Sequence, residues 1–297
     1  MPEAVPAALS ATIPRALVAE ATCALSGEEA RREAELLLMH VLGVDLAWLY
    51  AHGDDEINAA TVTAFCDLIA RRAAGEPLAY LIGRREFWSL DLKVTPDVLI
   101  PRAETELLVE LALQRIPQNE KADIADLGTG SGAIALALAH ERPLARLLAT
   151  DTSAATLAVA RENAQRLGIR NIEFVQGDWC TALGGRKFDL IVSNPPYIAA
   201  ADAHLRQGDL RFEPTAALVS GPDGLDATRV IARDARAHLQ SQGWLLLEHG
   251  YAQGAAVREI FGESGFVEIF TARDLEGRDR VSGAASPSRA PETYRRP

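Results

Sequence analysis

The chain has 297 residues, 48% of them hydrophobic, with 30 Lys+Arg against 41 Asp+Glu and hence a net charge of −11. That length suits about two domains, and the composition excludes a disordered or fibrous chain. No apolar run approaches the ~18 residues of a membrane-spanning helix, and the acidic excess argues against holding duplex nucleic acid mainly through phosphate contacts.

Near the N-terminus, Glu3, Arg15 and Glu20 lie among Pro2, Pro6 and Pro14. This is not a basic segment followed by an apolar one, so no secretory signal is expected. Three widely spaced cysteines, Cys23, Cys66 and Cys180, argue against a disulfide framework and a Cys-rich zinc site. A cytoplasmic location is the resulting expectation.

Residues 10–83 read as all-helical. Ser26-Gly27-Glu28-Glu29 has capping-box spacing ahead of a Leu-rich helix that stops at Gly43. A short helical stretch over Asp45–Tyr50 ends near Gly53. In the next helix Val62, Phe65, Cys66, Ile69 and Ala73 share one face, which places Cys66 on the buried side. Gly75 and Pro77 end it. Leu90, Leu92 and Val94 alternate with Asp91 and Lys93, so Glu86–Val94 reads as part of a small hairpin.

From residue 105 strands and helices alternate. Helices are expected over 105–115, 133–141, 153–167, 225–240 and 255–261. Seven strands are expected over 122–127, 147–150, 172–176, 188–193, 244–248, 266–271 and 280–284. This alternation predicts an α/β domain whose mostly parallel sheet is covered on both faces. The division reads as a helical domain over 1–83, a hairpin linker over 84–100, an α/β domain over 101–285 and a loose tail over 286–297.

A glycine-rich turn, Gly128-Thr129-Gly130-Ser131-Gly132, joins a strand to a helix. Such a turn lets backbone approach a ligand, and the helix start offers unpaired N–H groups. Asp151 closes the next strand, where a carboxylate can accept both hydroxyls of a ribose. Gly128 to Ala133 also satisfies the looser dinucleotide pattern, so NAD and S-adenosylmethionine both remain open at this point.

Asn194-Pro195-Pro196-Tyr197 follows an apolar strand. Two prolines stiffen the loop and remove two donors, and Pro195 biases Asn194 towards extended backbone. The loop therefore presents acceptors, which suit the two donors of a planar –NH2 group, and Tyr197 can cover that flat group with its ring. Such a nitrogen is a poor nucleophile, so it needs a strong electrophile such as a sulfonium methyl, held in line and away from water.

Asp126-Leu127-Gly128-Thr129-Gly130-Ser131-Gly132 resembles the first motif of class I S-adenosylmethionine-dependent methyltransferases. Asn194 to Tyr197 resemble the motif of those that methylate planar nitrogens. Ile100-Pro101-Arg102-Ala103-Glu104-Thr105-Glu106, Arg211-Phe212-Glu213-Pro214, Ala217-Leu218 and Gly221-Pro222-Asp223-Gly224-Leu225 are similar to segments of the peptide chain release factor N5-glutamine methyltransferases. The resemblance covers about residues 15–285, with Ala103 where a proline is common and Ser131 where Thr is frequent.

The resemblance implies a Rossmann-like methyltransferase domain behind a small helical bundle. It implies N5-methylation of the Gln in the Gly-Gly-Gln loop of release factors, with S-adenosylmethionine as methyl donor. Gly128, Thr129, Gly130, Ser131, Gly132, Asp151, Trp179 and Asn194 would contact that donor. Asn194, Pro195, Pro196 and Tyr197 would hold the glutamine amide, with Asn194, Pro195 and Tyr197 carrying the reaction. The helical domain would dock the release factor.

Competing readings are methylation of a ribosomal-protein Gln or of adenine N6, and an NAD-dependent oxidoreductase. The acidic balance weakens the nucleic-acid target, and the oxidoreductase leaves Asn194 to Tyr197 unexplained. No direct nucleic-acid partner, membrane or metal is expected. The histidines (His40, His52, His140, His204, His238, His249) lack metal-ligand pairing, and His249 is given a structural role over a pocket-lining one. Asp126, Asp151 and Asp178 suit helix-end and ligand hydrogen bonds better than Mg2+. Cys180 has no partner spacing for a nucleophile. Arg102 and Glu104 either border the pocket or pair at the domain junction.

Overall fold

Leucine and alanine at helical spacing build the first of two compact units, which comprises the chain up to Arg84 together with residues 204–212. The structure, a computed structural model, describes residues 11–288. The expected loose tail beyond Ser288 lies outside the described residues.

Helices α1 (Pro14–Ala24), α2 (Ala30–Leu42), α3 (Leu46–Ala51), α4 (Ala59–Ala73) and α5 (Leu78–Ile82) surround an apolar core that includes Leu17, Leu37, Leu38 and Phe65. Asp45 caps α3 by accepting from the Trp48 amide at 2.8 Å, and Asn58 caps α4 by accepting from the Thr61 amide at 2.9 Å.

The capping box expected at Ser26 does not form. Gly27 takes φ 102, so the chain turns there, and α2 begins only at Ala30 with no side-chain cap. Cys66 also departs from expectation, because α4 buries Phe65 and Ile69 while Cys66 sits at the edge of the stripe, partly exposed. Each residue turns the helix by about 100°, so only part of a wide stripe reaches the core. The segment over 204–212 is tied in by Arg72, which pairs with Glu33 at 2.8 Å and Asp209 at 3.5 Å, and by Arg211, which donates to the Ala74 carbonyl at 2.6 Å.

The second unit runs from Arg85, without 204–212. It opens with the hairpin of β1 (Arg84–Phe87) and β2 (Leu90–Lys93). Trp88 and Ser89 form its turn with φ 51 and 57, a conformation that favours glycine. Trp88 is held there by its backbone N–H to Glu106 and its indole N–H to Glu141, both at 2.9 Å.

A short turn over Ala103–Thr105 leads into α6 (Glu106–Leu113). Then come β3 (Asp123–Leu127), α7 (Ala133–Glu141), β4 (Arg146–Asp151), α8 (Ala154–Leu167), β5 (Ile172–Gln176) and β6 (Phe188–Ser193). The unit ends with α9 (Asp226–Ala235), β7 (Leu239–Glu248), α10 (Gly254–Glu263), β8 (Val267–Arg273) and β9 (Asp279–Ala285). The helix expected to reach residue 240 stops at Ala235 because Leu239 already pairs with Phe188 in the sheet. Register across the sheet overrides the helical preference of that segment.

The seven strands lie in the order β5-β4-β3-β6-β7-β9-β8, with β9 alone running against the direction of the others. This is the mostly parallel, seven-stranded α/β sheet that the sequence predicts. From β3 the chain winds outward through β4 and β5, then returns to β6 on the other side of β3. Connections therefore diverge at the carboxyl ends of β3 and β6, where open α/β sheets leave a crevice.

Candidate active site

The carboxyl ends of β3 and β6 open onto a cavity of about 360 Å3. Gly128, Thr129, Gly130 and Ser131 form one wall, and Asp151, Ser153 and Trp179 continue it. Gly128 has φ 71, and a Cβ there would meet the Trp179 ring at 3.2 Å, so glycine is required for both conformation and space. Gly132 lies behind this wall, facing Leu136 and Ala160, and starts α7.

The loop is held from beneath. Asp126 accepts from the Thr129 hydroxyl at 2.6 Å. The buried Asn163 donates to the Ser131 carbonyl and to the Lys93 carbonyl, both at 2.9 Å, and accepts from the Lys93 amide at 2.7 Å. Asp151 accepts from the Gly130 amide at 3.2 Å and the Ser153 amide at 3.0 Å. Its carboxylate is thus aimed by the backbone, with lone pairs to spare for hydroxyl donors.

Across the cavity stand Asn194 and Pro196. They are brought there by the β3–β6 pairing, reinforced by the Ser193 hydroxyl donating to the Leu127 carbonyl at 2.6 Å. The Asn194 Nδ2 donates to the Thr105 hydroxyl at 3.3 Å. Pro195 is buried and does not line the cavity. Neither does Tyr197. Its hydroxyl approaches Glu248 at 3.5 Å, and its carbonyl accepts from Gln253 at 3.0 Å. Beyond it, the Ile198 amide donates to the Leu218 carbonyl and the Ser220 amide to the Ile198 carbonyl, both at 2.9 Å, which pins the exit of the loop.

Arg102 borders the cavity, whereas Glu104 does not, and Arg102 ion-pairs with the buried Glu213 inside the α/β unit rather than at a domain junction. Glu213 also accepts from the Ile100 amide at 3.2 Å. Thus the segment around Pro101 and the segment around Pro214 meet on one buried carboxylate.

Buried charge concentrates near the site. Burial pushes the Asp126 carboxyl up to about 7 against the lowering effect of the Thr129 hydroxyl and the Ala135 amide. Burial likewise pushes Glu248 up to about 7, opposed by Thr105, Arg280 and Tyr197. Asp151 is raised by burial and held back by the Ser153, Gly130 and Thr152 amides. Asp126 Oδ1 and Glu248 Oε2 have no hydrogen-bond partner among the described residues.

Cys180 is buried with its thiol pushed up to about 12 by burial, which suits an inert core thiol. His249 is fully buried between the Gly250 carbonyl at 2.9 Å and the Ser282 hydroxyl at 2.8 Å, a structural role. Among the described residues no group of three or more His, Cys, Asp or Glu could hold a metal ion, and no helix is long and apolar enough to cross a membrane.

The sequence assigns no role to Thr105 or Glu213, although both lie in segments that carry the resemblance, and it misses Asn163 and Glu248. A signal existed for Glu248, the single charge at the end of the apolar run Trp244-Leu245-Leu246-Leu247.

A glycine turn after β3, an acidic residue ending β4 and a proline-locked loop after β6 on a seven-stranded sheet define a methyltransferase. Residues 103–213 match the methyltransferase small domain, and residues 16–83 match the PrmC N-terminal domain. The fold is also that of a T. thermophilus 16S rRNA methyltransferase solved with AdoMet and guanosine, at a TM-score of 0.51 and 20% identity over 68% of this chain and 49% of that one.

The chain belongs to the release factor glutamine methyltransferase family. It is 56% identical to the Xylella fastidiosa (strain Temecula1) release factor glutamine methyltransferase over 92% of this chain and 98% of that protein. It is 48% identical to the Escherichia coli K12 relative over 86% and 92% of the two chains.

Proposed function

We propose that this enzyme transfers the methyl group of S-adenosylmethionine to the side-chain amide nitrogen of the glutamine in the Gly-Gly-Gln loop of peptide chain release factors, in support of translation termination. The observation that carries this reading is one cavity walled by Gly128 to Ser131 and Asp151 on one side and by Asn194 and Pro196 on the other. The relatives named for release factor glutamine methylation supply the substrate. A cytoplasmic setting goes with that substrate.

The residues present fit S-adenosylmethionine. Asp151, already oriented by two backbone amides, suits ribose hydroxyls. The Trp179 ring beside Gly128 offers a flat apolar surface for an adenine. The buried Asp126, with one oxygen unpaired behind the glycine loop, would be favoured in its ionised form by a cationic ligand there. When bound, S-adenosylmethionine supplies a methyl group on positively charged sulfur, which is electrophilic enough for an amide nitrogen.

The chain's own residues select and orient that nitrogen. Asn194 spends its –NH2 on Thr105, so its oxygen is the group left to accept from a substrate –NH2. Stiff prolines hold that acceptor with little reorganisation. Acceptors on the amide gain strength as positive charge develops on nitrogen, which favours the transition state over the ground state. The alkylated nitrogen becomes strongly acidic, so a weak acceptor or water takes its proton. The roles given above to Pro195 and Tyr197 narrow accordingly. Neither lines the cavity, and both support the loop that Asn194 and Pro196 present.

The deciding experiment mixes the enzyme, labelled S-adenosylmethionine and a recombinant release factor. Label on the Gly-Gly-Gln peptide is expected. Label confined to a ribosomal protein or to DNA overturns the substrate, and calorimetric binding of NAD in place of S-adenosylmethionine overturns the chemistry.

A further inference from the structure

Among the described residues the cavity is lined by only three that carry charge, Asp97, Arg102 and Asp151. The two acidic residues belong to the start of α8. Asp151 accepts from the Ser153 amide at 3.0 Å, and the Asp97 carbonyl accepts from the Thr156 hydroxyl at 2.9 Å. Arg102 belongs to the Asn194 end. Its carbonyl accepts from the Thr105 amide at 3.1 Å, which closes the turn over Ala103–Thr105, and the Thr105 hydroxyl accepts from the Asn194 Nδ2 at 3.3 Å.

Arg102 is anchored more firmly than a surface cation needs to be. Glu213, whose side chain is fully buried, ion-pairs through Oε1 with Arg102 Nη2 and accepts through Oε2 from the Ile100 amide at 3.2 Å. Burying a carboxylate to hold an arginine gains little stability, because desolvation offsets the attraction. Aiming the arginine is what the arrangement achieves. The Arg102 side chain stays 32% exposed, at the cavity, and it makes no other hydrogen bond among the described residues. All but one of its N–H donors therefore remain, enough for paired bonds to a carboxylate.

S-adenosylmethionine carries one carboxylate, at the end of its methionyl chain. With the adenosine taken at the Asp151 and Trp179 wall and the sulfonium methyl facing Asn194, covalent connectivity leads the methionyl chain away from α8. We propose that Arg102, aimed by Glu213, receives the methionyl carboxylate, so that the site selects a methyl donor bearing that group. This deepens the S-adenosylmethionine reading and rests on it, but not on the identity of the methyl acceptor. Held at adenosine and at carboxylate, the donor has its sulfonium fixed between two anchors. The carboxylate takes no part in the transfer, so its ion pair is the same before and during reaction. Its loss falls on KM for the donor more than on kcat.

The test is calorimetric binding of S-adenosylmethionine and of decarboxylated S-adenosylmethionine, which keeps the sulfonium and the amine and lacks only the carboxylate. The wild-type enzyme is expected to bind the first about 10- to 100-fold more tightly, the scale of a charge-assisted hydrogen-bonded pair. Arg102→Met lowers affinity for S-adenosylmethionine by that factor and leaves the decarboxylated ligand within about twofold. Glu213→Gln, with folding checked by its melting curve, loses part of the preference. Equal binding of the two ligands by the wild type overturns the proposal. So does an equal loss for both in Arg102→Met, which would make Arg102 a strut, and an undiminished preference in Glu213→Gln overturns the aiming.

Kinetics on a full-length release factor add a second reading. Arg102→Met is expected to raise KM for S-adenosylmethionine with KM for the release factor held within about twofold. The reverse pattern gives Arg102 to the acceptor and overturns the proposal. No release factor enters the binding measurement, so absence of release factor methylation beside an intact carboxylate preference counts against the acceptor and leaves the Arg102 contact standing. Failure to bind either sulfonium overturns both readings.

Discussion

The two units have different interiors. Among the described residues, every fully buried side chain of the helical unit is a hydrocarbon except that of Tyr80. The α/β unit buries Asp126, Thr129, Asn163, Glu213, Glu248 and Arg280, most of them close to the carboxyl ends of its strands. An apolar interior maximises burial and needs no partners. A polar interior must satisfy each group, and those left incomplete cost stability. The lesson is that the α/β unit accepts that cost where it has chemistry to perform, while the helical unit has only a shape to hold.

The contrast can be broken first in the helical unit. Phe65 is fully buried among apolar neighbours, so Phe65→Ala should destabilise it by about 3–5 kcal/mol, read by urea unfolding. S-adenosylmethionine binding to the folded enzyme should remain unchanged. A loss below about 1 kcal/mol would show that the helical core is loosely packed.

Asn194→Ala should act in the opposite way. Transfer to release factor should fall by about 10²–10³-fold while the melting curve stays close to that of the wild type. Full activity would refute the amide-orientation mechanism. Asp151→Ala should weaken S-adenosylmethionine binding by about 10- to 100-fold by calorimetry, the scale of losing hydrogen bonds to a charged group. Unchanged affinity would move the ribose contact elsewhere.

The smallest effect is a slope. Asp126 and Glu248 hold their protons up to about 7 in the folded protein, whereas the unfolded chain releases them near 4. In that window the folded state binds more protons, so stability falls as pH rises from about 4 to 7 and then levels, at about 1.4 kcal/mol per pH unit for each site. Asp126→Asn should flatten its share of the slope. A melting temperature that climbs steadily from pH 5 to about 8 would contradict the burial of these carboxyls.

Much of the fold was legible because its signals are local. Ser153 caps α8 through the Thr156 amide at 3.2 Å, and Gly168 ends that helix with φ 69. The strands over 172–176 and 188–193 lie where the apolar runs place them. The misreadings are also instructive. Ser26 and Glu29 have the spacing of a capping box, but the path of the chain through Gly27 denies it. The segment over 236–240 has helical residues, but Leu239 is claimed by Phe188 across the sheet.

Within the candidate site, the residues that build short, stiff or strained backbone were visible in the sequence alone. Gly128, Asp151, Asn194 and Pro196 declare themselves by type and spacing, because backbone conformation and strand ends are local consequences of sequence. The tertiary structure alone decided that Asn194 donates to Thr105, that Glu213 gathers Arg102 and Ile100, and that Tyr197 faces Glu248 rather than the cavity. Those partners are separated by 51 to 113 residues along the chain, and a hydrogen bond depends on distance and direction in space, which spacing in sequence does not encode.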